Sequence, residues 1–208
     1  MRLLTVSFAV MLCTGVGAAR AQDIPAPAAP PAIAAMTGPR LLIATSMGDI
    51  TLQLDAVRAP KSVASVLRYV KDRHYDGTVF YRVVKGFVIQ MGSWDANVKG
   101  RPGHAPSPLE ADNGLSNLRG TVALAHGEDP NSAQADFFIN LADNTALDRS
   151  KDDSGNKTGY TVFGQVVAGM DVVDKIAEVP VGDHGPMPGQ APVDPIVIQK
   201  VSRLPDSN

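Results

Sequence analysis

From residue 40 onward, apolar positions either alternate with polar ones or gather in short β-branched blocks, the two signatures of strands in a half-buried or fully buried sheet. They predict strands at Leu41–Ser46, Ile50–Leu54, Val79–Val84 and Phe87–Met91, then at Thr121–His126, Asp136–Asn140, Thr161–Val167 and Ile196–Arg203. Met47-Gly48-Asp49 and Lys85-Gly86 are tight connections, so the first two pairs are expected to be hairpins. Helical spacing occurs twice. Pro60 suits an opening turn, after which Val63, Val66, Leu67 and Val70 fall at i, i+3, i+4 and i+7; in Met170–Val179, Val172, Val173 and Ile176 lie together. Eight mainly antiparallel strands with two helices most economically form a closed barrel whose ends the helices cover, because closure leaves no sheet edge exposed. A two-sheet sandwich is the alternative.

The residues ahead of this region follow other rules. Arg2 gives a positive start, Leu3–Val16 is apolar apart from Thr5, Ser7 and Thr14, and Ala19-Arg20-Ala21 ends in a small-x-small pattern. Residues 1–21 therefore read as a signal peptide cut before Gln22, too short an apolar run for an anchor, which implies an exported, periplasmic protein with no membrane span after cleavage. Bulky Leu12 argues against a lipoprotein site at Cys13, and the glycines at 15 and 17 belong to the leader, not to a nucleotide loop. Residues 22–39, with five prolines and six alanines from Asp23 to Pro39, read as an extended tether. The folded domain is expected over 40–204, followed by a short tail at 205–208.

Composition narrows the chemistry. With 208 residues, 44% hydrophobic and 19% charged, the chain suits one globular domain with a real core. Removing the leader leaves 17 basic and 21 acidic residues and no cysteine, so neither the footprint of a nucleic-acid binder nor thiolate chemistry is expected. His74, His104, His126 and His184 have no histidine partner at zinc-site spacing, and Asp148, Asp152 and Asp153 lack the closing glutamate of a calcium loop. These are read as surface histidines and a solvated loop, with no metal. Phosphate loops, dinucleotide loops and nucleophile elbows are missing from the sequence after the leader. Any activity must then work without metal, cofactor or nucleophile.

The most informative stretch is Phe80 to Gln90. On a strand with period two, Phe80, Arg82 and Val84 share one face, which sets a guanidinium among apolar neighbours, where it must be paired or used. Gln90 then supplies a neutral amide able to orient that guanidinium without neutralising it. From here the sequence resembles the cyclophilin family of peptidyl-prolyl cis/trans isomerases, in particular their exported bacterial members. The blocks that carry the resemblance are Ala59-Pro60-Lys61-Ser62-Val63-Ala64, Tyr75 to Val83, Gly86 to Gln90, Gly120 to Ala125, Phe137-Phe138-Ile139-Asn140, Leu147-Asp148 and Val162 to Val167, spread over residues 40–204. The fold it implies is an eight-stranded antiparallel barrel capped by two helices, in agreement with the independent strand count.

The resemblance implies that Arg82 is the catalytic arginine and Gln90 its positioning partner. Phe87, Val88, Phe138, Leu147 and Tyr160 match the pocket for a substrate proline ring, while Ala125 and His126 match a strand edge that pairs with substrate backbone. The implied partners are proline-containing unfolded or extended polypeptides, met by a monomer. Three positions depart from the pattern. Ala135-Asp136 replaces Ser-Gln, which puts a carboxylate near the substrate groove and is expected to alter affinity or sequence preference. Ala146 stands where cyclosporin-sensitive relatives have tryptophan, so weak or no cyclosporin binding is expected; Trp94, the only tryptophan, is placed in the Pro-rich loop. Tyr160 replaces a histidine and can still line the pocket. The competing reading is a proline-peptide holdase with little turnover.

Overall fold

The computed structural model describes residues 35–152 and 155–205, with backbone alone at 151, 152 and 155–157. The signal peptide, the tether up to residue 34, Asp153 and the last three residues of the tail lie outside the described residues. The main sheet is built from β1 (Arg40–Thr45), β2 (Gly48–Leu54), β3 (Thr78–Val84), β4 (Val88–Asp95), β5 (Thr121–Leu124), β6 (Phe137–Asn140), β7 (Val162–Ala168) and β8 (Ile198–Arg203). Their order is β8-β1-β2-β7-β5-β6-β4-β3, and every pairing is antiparallel. The ends meet where Gly77 N–H donates to Ile198 O (2.7 Å) and Phe80 N–H to Ile196 O (3.1 Å), so the barrel is nearly closed and both expected hairpins, β1–β2 and β3–β4, are present.

Helices α1 (Pro60–Lys71) and α2 (Met170–Ala177) pack on β8 and β2 respectively. The α1 stripe buries Val63, Val66 and Val70 as its spacing requires, with Tyr69 added. Its N-terminus has no side-chain cap of its own. Glu110 supplies one from a distant loop, accepting from Lys61 N–H (3.1 Å), Ser62 N–H (2.8 Å) and Ser62 Oγ–H (2.7 Å). That carboxylate satisfies donors which every helix start leaves unpaired and lies at the positive end of the helix dipole.

Three local readings change. The strand over Phe87–Met91 begins one residue later, because Phe87 N–H closes the turn on Val84 O (2.9 Å), and continues to Asp95. Trp94 therefore belongs to β4, with its ring 6.3 Å from that of Tyr81, and is not a loop residue. Asp148 is no solvated loop acid: it accepts from Asn117 N–H (2.7 Å), Asn117 Nδ2–H (2.8 Å) and the Ser116 hydroxyl. Residues 35–39, read as the end of the tether, hydrogen-bond to the end of β2 and the turn after it through Leu54 N–H to Pro39 O (3.0 Å) and Ala56 N–H to Thr37 O (3.1 Å). Among the described residues no helix is long and apolar enough to cross a membrane.

Candidate active site

The interior and exterior of the barrel carry separate apolar clusters. Leu41, Ile43, Ile50, Phe80, Val83, Ile89, Met91 and Phe137 fill the interior, whereas Val88, Ala123, Phe138 and Val162 form a second cluster outside, flanked by Phe87, Leu115, Ala125, Leu147 and Tyr160. Strand register places the outer set. Arg82 pairs with Gln90, Gln90 with Phe138, Phe138 with Ala123 and Ala123 with Val162, which is one transverse row across β3, β4, β6, β5 and β7. Because neighbours in such a row face the same way, the guanidinium, the amide and the aromatic ring emerge side by side.

One expectation fails instructively. Phe80 and Arg82 do not share a face. Phe80 pairs with Met91 and Arg82 with Gln90, so β3 spends two steps against one of β4 and Tyr81 is the extra residue of a bulge. Phe80 and Val83 both enter the interior, and Arg82 is turned out onto the second cluster. Its apolar neighbours thus come from other strands.

The cleft on this face holds about 220 Å³ and is lined by Arg82, Phe87, Val88, Gln90, Ala125, His126, Phe138, Leu147, Tyr160 and Met187. The structure therefore brings together nine of the ten residues singled out from the sequence. Arg82 Nη1–H donates to Gln90 Oε1 (3.1 Å), Arg82 Nε–H donates to Gln190 Oε1 (2.6 Å), and the guanidinium carbon lies 5.9 Å from the centre of the Phe87 ring. Among the described residues no bond is made by Nη2, which leaves that nitrogen as a donor for a ligand. Gln90 is itself held, its Nε2–H donating to the Tyr81 hydroxyl.

The apolar walls are fixed with equal care. The Phe87 carbonyl accepts from Leu141 N–H (2.8 Å) and Asn144 Nδ2–H (2.9 Å). Leu147 sits in a 3-10 turn, Thr145–Leu147, and its carbonyl accepts from Tyr160 N–H (2.9 Å), which ties two pocket residues to each other. Phe138 meets Tyr160 edge to face at 5.5 Å, and His126 stacks on that tyrosine at 4.4 Å. His126 lies just beyond β5, where its Nε2 contacts Gly159 O (2.9 Å), so it is half-buried in the cleft wall and not an exposed strand end.

Asp136 is the exception. It does not line the cleft. Its carboxylate turns away to accept from Ser93 N–H (2.9 Å) and Ser93 Oγ–H (2.9 Å) and bonds the Tyr81 hydroxyl, and burial pushes its pKa up from the usual carboxylate value. The expected carboxylate in the substrate groove is thereby corrected to a half-buried support that bonds the Tyr81 hydroxyl, the acceptor for Gln90. Tyr81, raised by burial first and by the Asp136 charge second, stays a neutral hydroxyl. Sequence reasoning missed Tyr81, Gln190 and Met187: none carries a local pattern, and the last two lie in a Pro-rich stretch that reads as a mere connection.

The family described as cyclophilin type peptidyl-prolyl cis-trans isomerase/CLD matches residues 40–203. The chain belongs to this family. It is 46% identical over 169 residues to peptidyl-prolyl cis-trans isomerase A of Dickeya dadantii, covering 81% of this chain and 86% of that one. Its identity to peptidyl-prolyl cis-trans isomerase B of Escherichia coli is 42% over 158 residues, covering 76% and 95%. Among solved structures, a cyclophilin type isomerase of Cryptosporidium parvum superposes with a TM-score of 0.62 at 22% identity, covering 81% of this chain and 99% of that chain, and was also solved in the presence of the dipeptide ala-pro. The chain is accordingly an enzyme, a peptidyl-prolyl cis-trans isomerase.

Proposed function

We propose that the enzyme accelerates rotation about X-Pro bonds in exported, partly unfolded polypeptides, with Arg82 donating to the proline nitrogen as the amide twists. Rotation must abolish amide resonance, a barrier of about 18–20 kcal/mol, and takes tens to hundreds of seconds unaided. In the twisted state the nitrogen becomes pyramidal and regains a lone pair. A fixed N–H aimed there binds that state better than either planar ground state, which is the condition for raising a rate.

The observation that carries this reading is the way Arg82 is held. Two amide oxygens, of Gln90 and Gln190, fix the guanidinium while leaving its charge whole, Nη2 makes no bond among the described residues, and Arg82 lines a cleft it shares with Phe87, Phe138 and Leu147. Phe87, Val88, Phe138, Leu147 and Tyr160 grip the proline ring and lower the local dielectric, which strengthens the bond Arg82 makes. The Ala125–His126 edge takes the substrate backbone. An acceleration of roughly five decades requires about 7 kcal/mol, within the range of a preorganised donor plus orientation. No proton changes hands.

The ala-pro dipeptide named for the Cryptosporidium relative supports a proline-containing peptide as the ligand class. Export is supported by the leader pattern in residues 1–21, and weak cyclosporin binding by Ala146. We take the enzyme to act as a monomer. Exchange spectroscopy on an X-Pro peptide tests the mechanism: Arg82→Ala is expected to lower turnover by about 10²- to 10³-fold, the effect of deleting one such donor, with the fold intact by circular dichroism. A folded Arg82→Ala protein with unchanged turnover overturns it.

A further inference from the structure

We infer that Gln190, on the hairpin between α2 and β8, is a positioning residue of this active site, and the inference rests on the arginine reading above. Its task is to fix the plane of the Arg82 guanidinium through Nε while leaving the positive charge undiminished.

The sequence from Pro180 to Pro195 carries five prolines and reads as a connection. The structure folds it back on itself instead. Val181 pairs with Pro192 and Gly182 with Ala191, and Val193 N–H donates to Pro180 O (2.9 Å). Gly189, at φ 73°, takes the left-handed conformation of the return, where Gln190 N–H bonds Met187 O (3.1 Å). The next bond decides the register. Val83 N–H donates to Gln190 O at 2.7 Å, which pins the Gln190 main chain to β3 one residue beyond Arg82. The Gln190 side chain therefore reaches the guanidinium from a backbone that is already anchored, and little ordering remains to be done when substrate arrives.

A single hold would not suffice. With the Gln90 bond alone, the guanidinium can pivot about Nη1 and sweep its free nitrogen along the cleft. The Gln190 bond at Nε, at 2.6 Å the shorter of the two, removes that freedom. The chemistry of the two holds matters equally. An amide oxygen accepts without a net charge of its own, whereas a carboxylate would form an ion pair and draw the donor toward itself. Met187, from the same hairpin, lines the cleft, so the hairpin is a wall of the site as well as its brace.

The test compares Gln190→Ala and Gln190→Glu with the wild type, with kcat and KM obtained separately from exchange spectra over a peptide titration and the Arg82 Nε–Hε signal followed by NMR. Gln190→Ala keeps the main-chain bond to Val83. It is expected to lose about 10- to 150-fold in kcat, the size of one hydrogen bond to a charged group, with KM within twofold and faster exchange of Hε with water. Gln190→Glu is expected to keep Hε protected and still lose kcat, a result that a purely structural role would not give. Wild-type kcat in Gln190→Ala, a loss carried entirely by KM, or wild-type kcat in Gln190→Glu would each overturn the inference. If Arg82→Ala loses turnover while Gln190→Ala keeps wild-type kcat, only the role of Gln190 falls; if Arg82→Ala itself keeps wild-type turnover, the arginine reading falls with it.

Discussion

Arg82→Lys separates a held donor from a mere positive charge. Lysine keeps the charge and can still place a cation near the Phe87 ring, which lies 5.9 Å from the guanidinium carbon in the native enzyme and is worth about 0.5–1 kcal/mol at such a site. It cannot keep the geometry. The planar fork spans Gln190 at 2.6 Å and Gln90 at 3.1 Å with a third nitrogen left over, whereas an ammonium is a single point on a flexible stem. Losing the aimed bond to the twisted amide removes about 1.5–3 kcal/mol. Ordering a free lysine in the transition state costs about 0.5–1.5 kcal/mol more. The sum, about 2–4.5 kcal/mol, corresponds to a fall in kcat/KM of roughly 30- to 2000-fold. Exchange spectroscopy on an Ala-Pro-containing peptide measures it, with circular dichroism and the thermal midpoint as controls for folding. If the lysine variant turns over within threefold of wild type while Arg82→Ala is inactive, charge alone suffices and the argument from the two amide holds is refuted.

Two further predictions concern the scaffold. Glu110→Ala removes the acceptor shared by two backbone N–H groups and one hydroxyl at the start of α1 and should cost about 1 kcal/mol, or a few degrees in Tm by calorimetry, with kcat/KM unchanged because the helix lies away from the cleft. His74 is held below its usual pKa by burial first and then by the charges of Arg101 and His104, so its contribution to stability is complete above about pH 6.5 and is lost as pH falls through the lower folded value. Asp136, raised by burial, works in the opposite direction, since the folded state binds its proton more tightly and gains stability as pH drops. The Tm of His74→Gln should therefore fall less than that of wild type between pH 7.5 and 5; an equal fall in both would show that His74 is not the group responsible.

What could be read from the sequence was what repeats. Period-two alternation or short apolar blocks marked the eight barrel strands and helical spacing marked both helices, because each element is one contiguous stretch with its own pattern of burial. Pocket residues such as Phe138 and Leu147 were accessible only through the family resemblance, since a lone phenylalanine in an apolar strand looks the same facing in or out. The contacts that were not legible join positions far apart in the chain. Gln190 is 108 residues from Arg82, Glu110 is 48 from Ser62, and Asp136 is 43 from Ser93. Local propensity carries no trace of such pairs.

The bulge at Tyr81 explains how core and site coexist on one strand. Strict alternation would send Phe80 and Arg82 to the same side, so that filling the interior with Phe80 would bury the guanidinium among Ile89 and Met91, where an unpaired charge is very costly. One extra residue resolves the conflict, letting Phe80 and Val83 both point inward while Arg82 joins the outer row with Gln90 and Phe138. The displaced Tyr81 is then put to use: its hydroxyl bonds Asp136 and accepts from Gln90, which orients the amide that holds Arg82. Room for this arrangement depends on Gly92, where φ is +148° and a Cβ would fall 2.6 Å from the Asp136 Cα and Oδ1. A side chain there would push Asp136 away from Tyr81, release Gln90 and loosen the guanidinium without touching the cleft. The orientation of Arg82 is thus set by backbone geometry on the neighbouring strand.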